Sequence, residues 1–285
     1  NRTNVSINAY RNLENISNSK IENITYWKKD KIDDAVLFMN EINQKNILSG
    51  YTNNVVTDSA VVKWMRSLII HEDIHEYILY TANKKPLIST HNIEELVEIN
   101  RIMSFDSCVI KKNVVMSDFF IDNVSKEIRI AVFIHIYKKI DKKDTVSNVL
   151  MVEFDPSKSL QKLISKILDN NLTSEAYIVQ DAGKEVIFLS DLKNKTNASL
   201  QYTISKSDSL KVCVKGVNGF RGKFEGLDYS GNYVHAYIQE VPNTNWLLIT
   251  KTNTNEIHEN AVIDNGIIIL FTLSRLFCFT RHVYL

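Results

Sequence analysis

The chain has 285 residues, of which 34 are basic and 33 are acidic, so its formal net charge is +1. Its hydrophobic content of 44% and charged content of 24% are those of an ordinary globular protein, which excludes a wholly disordered or fibrous chain. The balanced charge argues against nucleic-acid binding, because that affinity depends on an excess of Lys and Arg facing phosphates. About two domains are expected at this length.

A long stalk helix is predicted for residues 1–49, which contain neither Gly nor Pro. Apolar side chains recur there every three to four residues, as on one face of a helix. A helix of ~40 residues extends about 60 Å, which suits a stalk better than a helix inside a compact domain. The apolar stripe also predicts a homodimer that forms through this helix. The apolar stripe contains Ile7, Tyr10, Leu13, Ile16, Ile24, Trp27, Ile32, Ala35, Val36, Met39 and Ile42.

Residues 50–155 are predicted to form a first module. Apolar residues at helical spacing favour a helix over 61–69, and Asn92 can cap a short helix over 93–102. Runs of β-branched and aromatic residues bounded by turn residues predict strands. The five predicted strands are 76–82, 86–90, 107–110 taken together with 114–121, 127–137 and 146–154.

Residues 156–257 are predicted to form a linker helix and a second module. The triplet Asp155-Pro156-Ser157 is typical of a helix start, and a polar loop covers 194–209. The order of helix, five strands, helix and five strands predicts an α+β fold with two tandem modules, each an antiparallel sheet of about five strands with helices on one face. The strands predicted for this module are 176–180, 185–190, 219–227, 233–239 and 246–250.

The C-terminal residues 261–285 are predicted to form an apolar helix that begins a transmembrane segment. The run 266–279 is almost wholly apolar, and adding 261–263 gives roughly the 20 residues that a membrane span needs. Asp264, Asn265 and Arg275 interrupt this run, so a buried terminal helix is the alternative.

Three segments resemble parts of double Cache domains, which consist of two tandem PAS-like modules. The segment 222–257 contains a Gly-rich strand, a Y-x-G-x-x-V turn at 229–234, an A-Y-I strand and a W-L-L-I-T-K strand. This order is similar to the closing three strands of the membrane-proximal module. The segments 117–137 and 147–164 resemble the end of the membrane-distal module and its exit helix.

The resemblance implies an extracytoplasmic sensor region of a membrane receptor, as found in bacterial and archaeal histidine kinases, chemoreceptors and cyclic-dinucleotide enzymes. It implies a small-molecule ligand in the distal module, transmission through stalk helices, membrane attachment through the flanking helices, and no catalysis in this region; no cofactor is predicted. Amino-acid-binding chemoreceptors of this family carry an Arg-x-Trp cluster and a Gly-x-Asp at the last distal strand. Glu153-Phe154-Asp155 stands at the latter place, so amino-acid binding is not carried over.

The ligand site is predicted on one face of the strand 127–137. The alternate residues Ile128, Ile130, Val132, Ile134 and Ile136 are expected to form core against the long helices. The opposite face combines a cation, aromatic rings and an imidazole, which suits an anionic or aromatic small molecule. A partly solvated sheet face is the alternative, and with it a structural ectodomain that binds nothing. The predicted ligand-binding residues are Arg129, Phe133, His135, Tyr137, Asp118, Trp64 and Tyr77.

The motif His71-Glu72-Asp73-Ile74-His75 offers an enzymatic alternative, a zinc metallopeptidase. On a helix, His71 and His75 would share a face and hold zinc, with Glu72 as general base. Glu94, Glu95 or Glu98 would be the third ligand. The strand-like residues that follow argue against a continuing helix, and two solvated His residues at a helix end remain the simpler interpretation.

Overall fold

The computed structural model describes residues 2–45, 48, 60–69, 71–91, 103–122, 125–140, 143–167 and 172–259. The chain clusters into two compact units, Asn23–Leu163 and Asn1–Glu22 with Ile164–Leu285. Each unit has one antiparallel sheet, and each of these sheets has six strands among the described residues. The module boundaries given above from the sequence stay a prediction.

Helix α1 (Arg2–Lys45) is continuous, as the sequence predicts. Five of the eleven residues of its apolar stripe are buried within the chain. In one unit, the hydroxyl of Thr250 donates to the carbonyl of Leu13 over 3.1 Å. In the other, Trp27 Nε1 donates to Ser159 Oγ over 3.2 Å. The buried members of the stripe are Leu13, Ile24, Trp27, Ala35 and Ile42.

The unit Asn23–Leu163 has the sheet order β2-β1-β6-β5-β3, and β4 pairs with β5. Its long strands follow the predicted ones closely, because their alternating apolar residues face a core. A 3-10 turn, Pro156–Lys158, precedes helix α4. The elements are α2 (Ala60–Ser67), β1 (Ile74–Thr81), β2 (Pro86–Ser89), α3 (Met103–Lys111), β3 (Val115–Met116), β4 (Phe120–Ile121), β5 (Ile128–Ile140), β6 (Lys143–Phe154) and α4 (Leu160–Ser165).

The strand predicted for 107–110 is wrong, because these residues belong to helix α3. Phe105 and Cys108, three residues apart on α3, are buried against the sheet, and this contact outweighs the local preference for strand. The sheet side covered by α3, called here the α3 face, contains Ile78, Tyr80, Ala131, Phe133, Val149 and Met151. The helix predicted for 93–102 lies outside the described residues.

The opposite side of this sheet, called here the α1 face, packs against α1, as the alternation in the strand 127–137 predicts. Ile134 on β5 lies with Val152 and Phe154 on β6 around a cavity that α1 also borders. Next to them, the backbone N–H of Tyr137 donates to Asn43 Oδ1 on α1 over 2.9 Å.

The second unit has the sheet order β10-β11-β12-β7-β8-β9. Two of its elements are absent from the sequence prediction: β9, which lies inside the predicted polar loop, and α5, which packs Val212, Cys213 and Val214 into the core. The elements are β7 (Glu175–Ala182), β8 (Glu185–Phe188), β9 (Thr203–Ser205), α5 (Val212–Val217), β10 (Gly222–Leu227), β11 (Tyr233–Glu240) and β12 (Trp246–Asn253).

The predicted α+β class with a long N-terminal helix and antiparallel sheets is confirmed. After β12 the chain is helical over 254–259. The apolar helix predicted for 261–285 lies outside the described residues. Of the helices that the structure describes, none combines the length and apolar character that a membrane crossing requires.

Candidate ligand site in the unit Asn23–Leu163

A cluster of charged side chains lies on the α3 face, beyond the apolar core. Arg129 on β5 and Glu153 on β6 have only 2% and 1% of their side chains exposed, and Arg129 Nε lies 3.1 Å from Glu153 Oε1. Arg129 also donates to the carbonyl of Ile128 over 3.1 Å and to the carboxylate of Glu127. A buried guanidinium is therefore held among backbone and carboxylate oxygens, where its charge is poorly screened by water.

A β-bulge adds two further side chains to this cluster. The register between β1 and β6 shifts between Ile74 and Glu76, and Glu76 becomes the direct partner of Glu153. Such a bulge lets successive residues face the same side of a sheet. Accordingly, His75 Nδ1 lies 3.5 Å from Arg129 Nη2 on the α3 face, whereas Ile74 borders the cavity on the α1 face.

Glu153 is the most perturbed carboxyl of the cluster. Burial, and then repulsion from Glu76, raises the pKa of Glu153 to about 8, although the Arg129 charge acts in the opposite direction. Neither carboxylate oxygen of Glu153 has a hydrogen-bond donor among the described residues. Glu76, by contrast, accepts a hydrogen bond of 3.0 Å from Ser89 Oγ. At neutral pH the Glu153 carboxyl is therefore mostly protonated when nothing else is bound.

Two imidazoles complete the cluster. The rings of His75 and His91 are stacked, with centroids 4.9 Å apart and planes inclined by 13°. His91 Nδ1 lies 3.9 Å from Glu76 Oε2. Burial, and then the charge of Arg129, lowers the pKa of His75. His75 is therefore neutral at neutral pH, and its Nδ1 lone pair faces Arg129 Nη2.

The metallopeptidase alternative is wrong, because the H-E-x-x-H residues are not helical. His71 lies in a bend, Glu72 follows in a turn, and His75 is already in β1. His71 borders the cavity on the α1 face, whereas His75 contacts Arg129 on the α3 face. The two imidazoles consequently cannot converge on one zinc ion as the motif requires. Glu94, Glu95 and Glu98 lie outside the described residues.

Two of the predicted ligand-binding residues lie at the α1 face. Tyr77 borders a cavity of about 280 Å³, and the ring of Phe38 lies between it and Trp64, with centroid distances of 6.1 and 5.9 Å. Lys31, at the edge of this cavity, forms an ion pair of 2.9 Å with Asp73. The cavity wall is otherwise mostly apolar. It is lined by Lys31, Asp34, Ala35, Phe38, Leu68, His71, Ile74, Tyr77, Ile134, Val152 and Phe154.

The remaining predicted residues lie apart from Arg129. Phe133 is core beneath α3, with its ring 5.8 Å from that of Phe105. His135 is buried further along β5, 4.7 Å from the ring of Tyr137, and burial lowers the pKa of His135. Asp118 is exposed. The structure therefore distributes the predicted set over several places, and Arg129 is the member that lies in the charged cluster.

Sequence reasoning missed Glu76 and His91, and it treated Glu153 only as a departure from a family motif. A usable signal was present, since Glu76 lies among the apolar residues of β1 and Glu153 directly follows the apolar run Val149–Val152 of β6. A charge in a buried strand is rare unless it has a partner or a function.

The free energy of unfolding is expected to depend on pH through Glu153. The pKa of Glu153 is about 8 in the folded chain against a usual value of 4.5, so folding takes up a proton between these values. The stabilisation is complete below the unfolded pKa and is lost as the pH rises toward 8. Between about pH 6 and about pH 7.5, wild type should lose about 2 kcal/mol relative to Glu153→Gln.

Urea unfolding at the two pH values measures this difference. Glu240→Gln, the same substitution at an exposed position, should keep the pH dependence of wild type. If the free energy of unfolding changes by the same amount between the two pH values in wild type and in Glu153→Gln, the raised pKa of Glu153 is contradicted.

The fold matches solved sensory domains over nearly the whole chain. The ligand-binding domain of the Pseudomonas aeruginosa PAO1 amino acid chemoreceptor PctB, in complex with L-Gln, superposes with a TM-score of 0.60 at 11% identity, covering 90% of this chain and 98% of that chain. The sensory domain of the Campylobacter jejuni chemoreceptor Tlp3 (CcmL), with isoleucine bound, gives 0.60 at 14% identity, covering 90% and 97%. The extracellular domain of the histidine kinase rpHK1S-Z16 gives 0.60 at 9% identity, covering 88% and 97%.

The chain has the fold of these sensory domains. The fold implied by the resemblance to double Cache regions is thereby confirmed. The sequence matches no protein-family model, and it matches no curated protein. At identities this low, the similarity concerns the fold, and function has to be argued from the site.

Proposed function

We propose that this chain is the ligand-sensing region of a transmembrane signalling receptor, and that the ligand binds in the unit Asn23–Leu163 at the charged cluster of the α3 face. The fold supports this proposal, because PctB and Tlp3 are described with amino acids bound to domains of this fold. The region itself is proposed to be non-catalytic, as a sensor whose output domain is a separate part of the receptor.

The observation that carries the proposal is that the Arg129 and Glu153 side chains are buried although their hydrogen bonding is incomplete. Their contact is an ion pair in which neither Arg129 Nε nor the Glu153 oxygens form a hydrogen bond of good geometry. Buried charges cost free energy unless they are paired and hydrogen-bonded. A ligand that completes this bonding would gain affinity from groups that are already desolvated, as at a binding site.

The proposed mechanism is differential affinity between two arrangements of the sheet and its covering elements. A ligand that binds one arrangement more tightly shifts the population toward it, and helix α1 carries the change along the chain. Switching a receptor from mostly off to mostly on needs several kcal/mol of such a difference.

A homodimer through residues 1–49, an extracytoplasmic location and membrane attachment through the flanking helices belong to the same proposal. Because five members of the stripe are buried within the chain, a dimer would use the exposed apolar residues of α1, which are Ile7 of the stripe together with Tyr26 and Leu37. A monomeric full-length receptor in the membrane would refute the dimer.

A thermal-shift screen of amino acids, amines, organic acids and metal ions tests the proposed function. A ligand at about 100 times its Kd should add about 2.7 kcal/mol to the stability of the folded chain. Glu153→Gln should abolish this gain, whereas the exposed control Glu240→Gln should retain it. If no compound stabilises the chain, or if Glu153→Gln responds like wild type, the site is not a ligand site and a structural ectodomain is the better description.

A further inference from the structure

The charged cluster has the donor atoms of a metal site. His75, Glu76 and Glu153 can each offer one ligand atom such that all three atoms lie within 4.8 Å of one another. His91 lies beside them, with Nδ1 3.9 Å from Glu76 Oε2 and its ring stacked on that of His75. In a tetrahedral zinc site the ligand atoms are roughly 3.4 Å apart, so the side chains need to approach one another by about 1 Å.

A second observation at the same place points to a ligand. Glu153 is fully buried, and neither of its carboxylate oxygens has a hydrogen-bond donor among the described residues. Arg129 contacts the cluster at two atoms, with Nε 3.1 Å from Glu153 Oε1 and Nη2 3.5 Å from His75 Nδ1. A bound cation would replace the guanidinium at these two atoms. The second oxygen of Glu153, Oε2, makes no hydrogen bond in the part of the chain that the structure describes. A bound cation would stabilise a buried carboxylate whose hydrogen bonding is incomplete, as that of Glu153 is.

The donor types select the class of metal. Two imidazoles and two carboxylates form a nitrogen–oxygen set, which suits zinc and related divalent transition ions. Magnesium and calcium prefer ligand sets made wholly of oxygen, so His75 and His91 would be poor ligands for them.

An organic ammonium ion would also be attracted by Glu76 and Glu153, but the imidazoles distinguish the two ligands. An imidazole carries no negative charge that would attract an ammonium ion, whereas imidazole nitrogen is the commonest nitrogen ligand of zinc. The stacked pair beside the two carboxylates is therefore better explained by a metal ion than by an amine.

We infer that His75, His91, Glu76 and Glu153 bind a divalent transition-metal ion of the zinc type. This deepens the proposed function, since it names the ligand class of the same site. Binding would hold the residues after β2 against the paired strands β1 and β6, because His75 and Glu76 belong to β1, Glu153 belongs to β6, and His91 follows β2.

Isothermal titration calorimetry of the whole chain with zinc chloride tests the inference. Wild type should bind one zinc ion per chain. At saturating zinc, the unfolding midpoint should rise by about 5 °C or more. Magnesium and calcium chloride should give neither effect.

Matched histidine variants make the test specific. His75→Ala and His91→Ala should each weaken zinc binding by at least about 100-fold, because losing a direct ligand costs more than the 10- to 100-fold typical of its outer partners. His71→Ala, the same substitution at the other histidine of the H-E-x-x-H motif, should bind zinc like wild type. The His91 side chain is 54% exposed, so His91→Ala removes the ligand without disturbing a packed core.

The inference is overturned if wild type does not bind zinc, or if His71→Ala weakens binding as much as His75→Ala and His91→Ala do. Failure of the broader proposal is a separate result. If zinc does not bind but an amine or an amino acid stabilises wild type and not Glu153→Gln, the metal site is wrong and ligand sensing survives. If neither zinc nor any compound of the screen binds, both are wrong.

Discussion

Lys251→Met is expected to lower the free energy of unfolding of the β7–β12 sheet by about 3–5 kcal/mol, which is the cost of leaving buried partners of an ion pair without their counter-charge. The Lys251 side chain is 3% exposed, and its Nζ lies 3.1 Å from Asp228 Oδ2 and 3.3 Å from Glu175 Oε2. Removing the ammonium leaves two carboxylates in the protein interior. Methionine has a similar volume, so the loss reports charge rather than packing.

The remaining hydrogen bonds limit this loss. Tyr229 donates to Glu175 over 2.8 Å, and the backbone N–H groups of Ser230 and Asn232 each donate to Asp228 Oδ1 over 2.9 Å. The fold should therefore survive. Asp228→Asn in the Lys251→Met background should recover part of the stability, because it removes one of the two uncompensated charges.

Hydrogen exchange of the amides in β11 and β12 measures this effect in the folded chain. Lys206→Met is the matched control, because Lys206 pairs with Asp181, a carboxylate whose side chain is 51% exposed. It should change the stability by less than about 1 kcal/mol. Equal losses for the two variants would show that Lys251 contributes as a surface lysine does.

Above about pH 8, where Glu153 is ionised, Arg129→Ala should lower the stability of the β5–β6 region by about 3 kcal/mol, since it leaves the Glu153 carboxylate buried beside Glu76 without a counter-charge. The loss is limited by protonation. Glu153, whose pKa is already raised, would take up its proton more firmly and avoid a bare buried charge.

Exchange of the β5 and β6 amides measures this loss, and Arg221→Ala is its control. Arg221 pairs with Glu240 at the surface, where side-chain exposures are 36% and 66%. That variant should lose less than about 1 kcal/mol. Zinc should slow the hydrogen exchange of the β5 and β6 amides at least as much in Arg129→Ala as in wild type, because the ion would supply the positive charge that the substitution removes. Weaker protection by zinc would contradict the inferred ligand set.

The long strands could be predicted from the sequence because their signal is local. In β5 the alternation of Ile130, Val132 and Ile134 with Ala131 and Phe133 places two apolar surfaces on opposite faces. The helix start was likewise predicted from the triplet Asp155-Pro156-Ser157. In the structure the Asp155 carboxylate accepts a hydrogen bond of 3.0 Å from the backbone N–H of Ser157.

Short elements could not be predicted in the same way. The residues of α3 include Val109 and Ile110, which favour strand by propensity, and only the burial of Phe105 and Cys108 against the sheet makes them helical. Strand β9 has three residues, too few to show a period, and it forms because it pairs with β8.

The sequence by itself determined the long helix, the α+β order and the two faces of β5. These features depend on apolar residues that recur every two, or every three to four, positions, and such a pattern involves only residues close together in the sequence. Only the tertiary structure decided which charges meet. Glu76, Arg129 and Glu153 are separated by tens of residues, and strand register together with one bulge brings them to the same face. Register depends on the whole sheet, so no local pattern reports it.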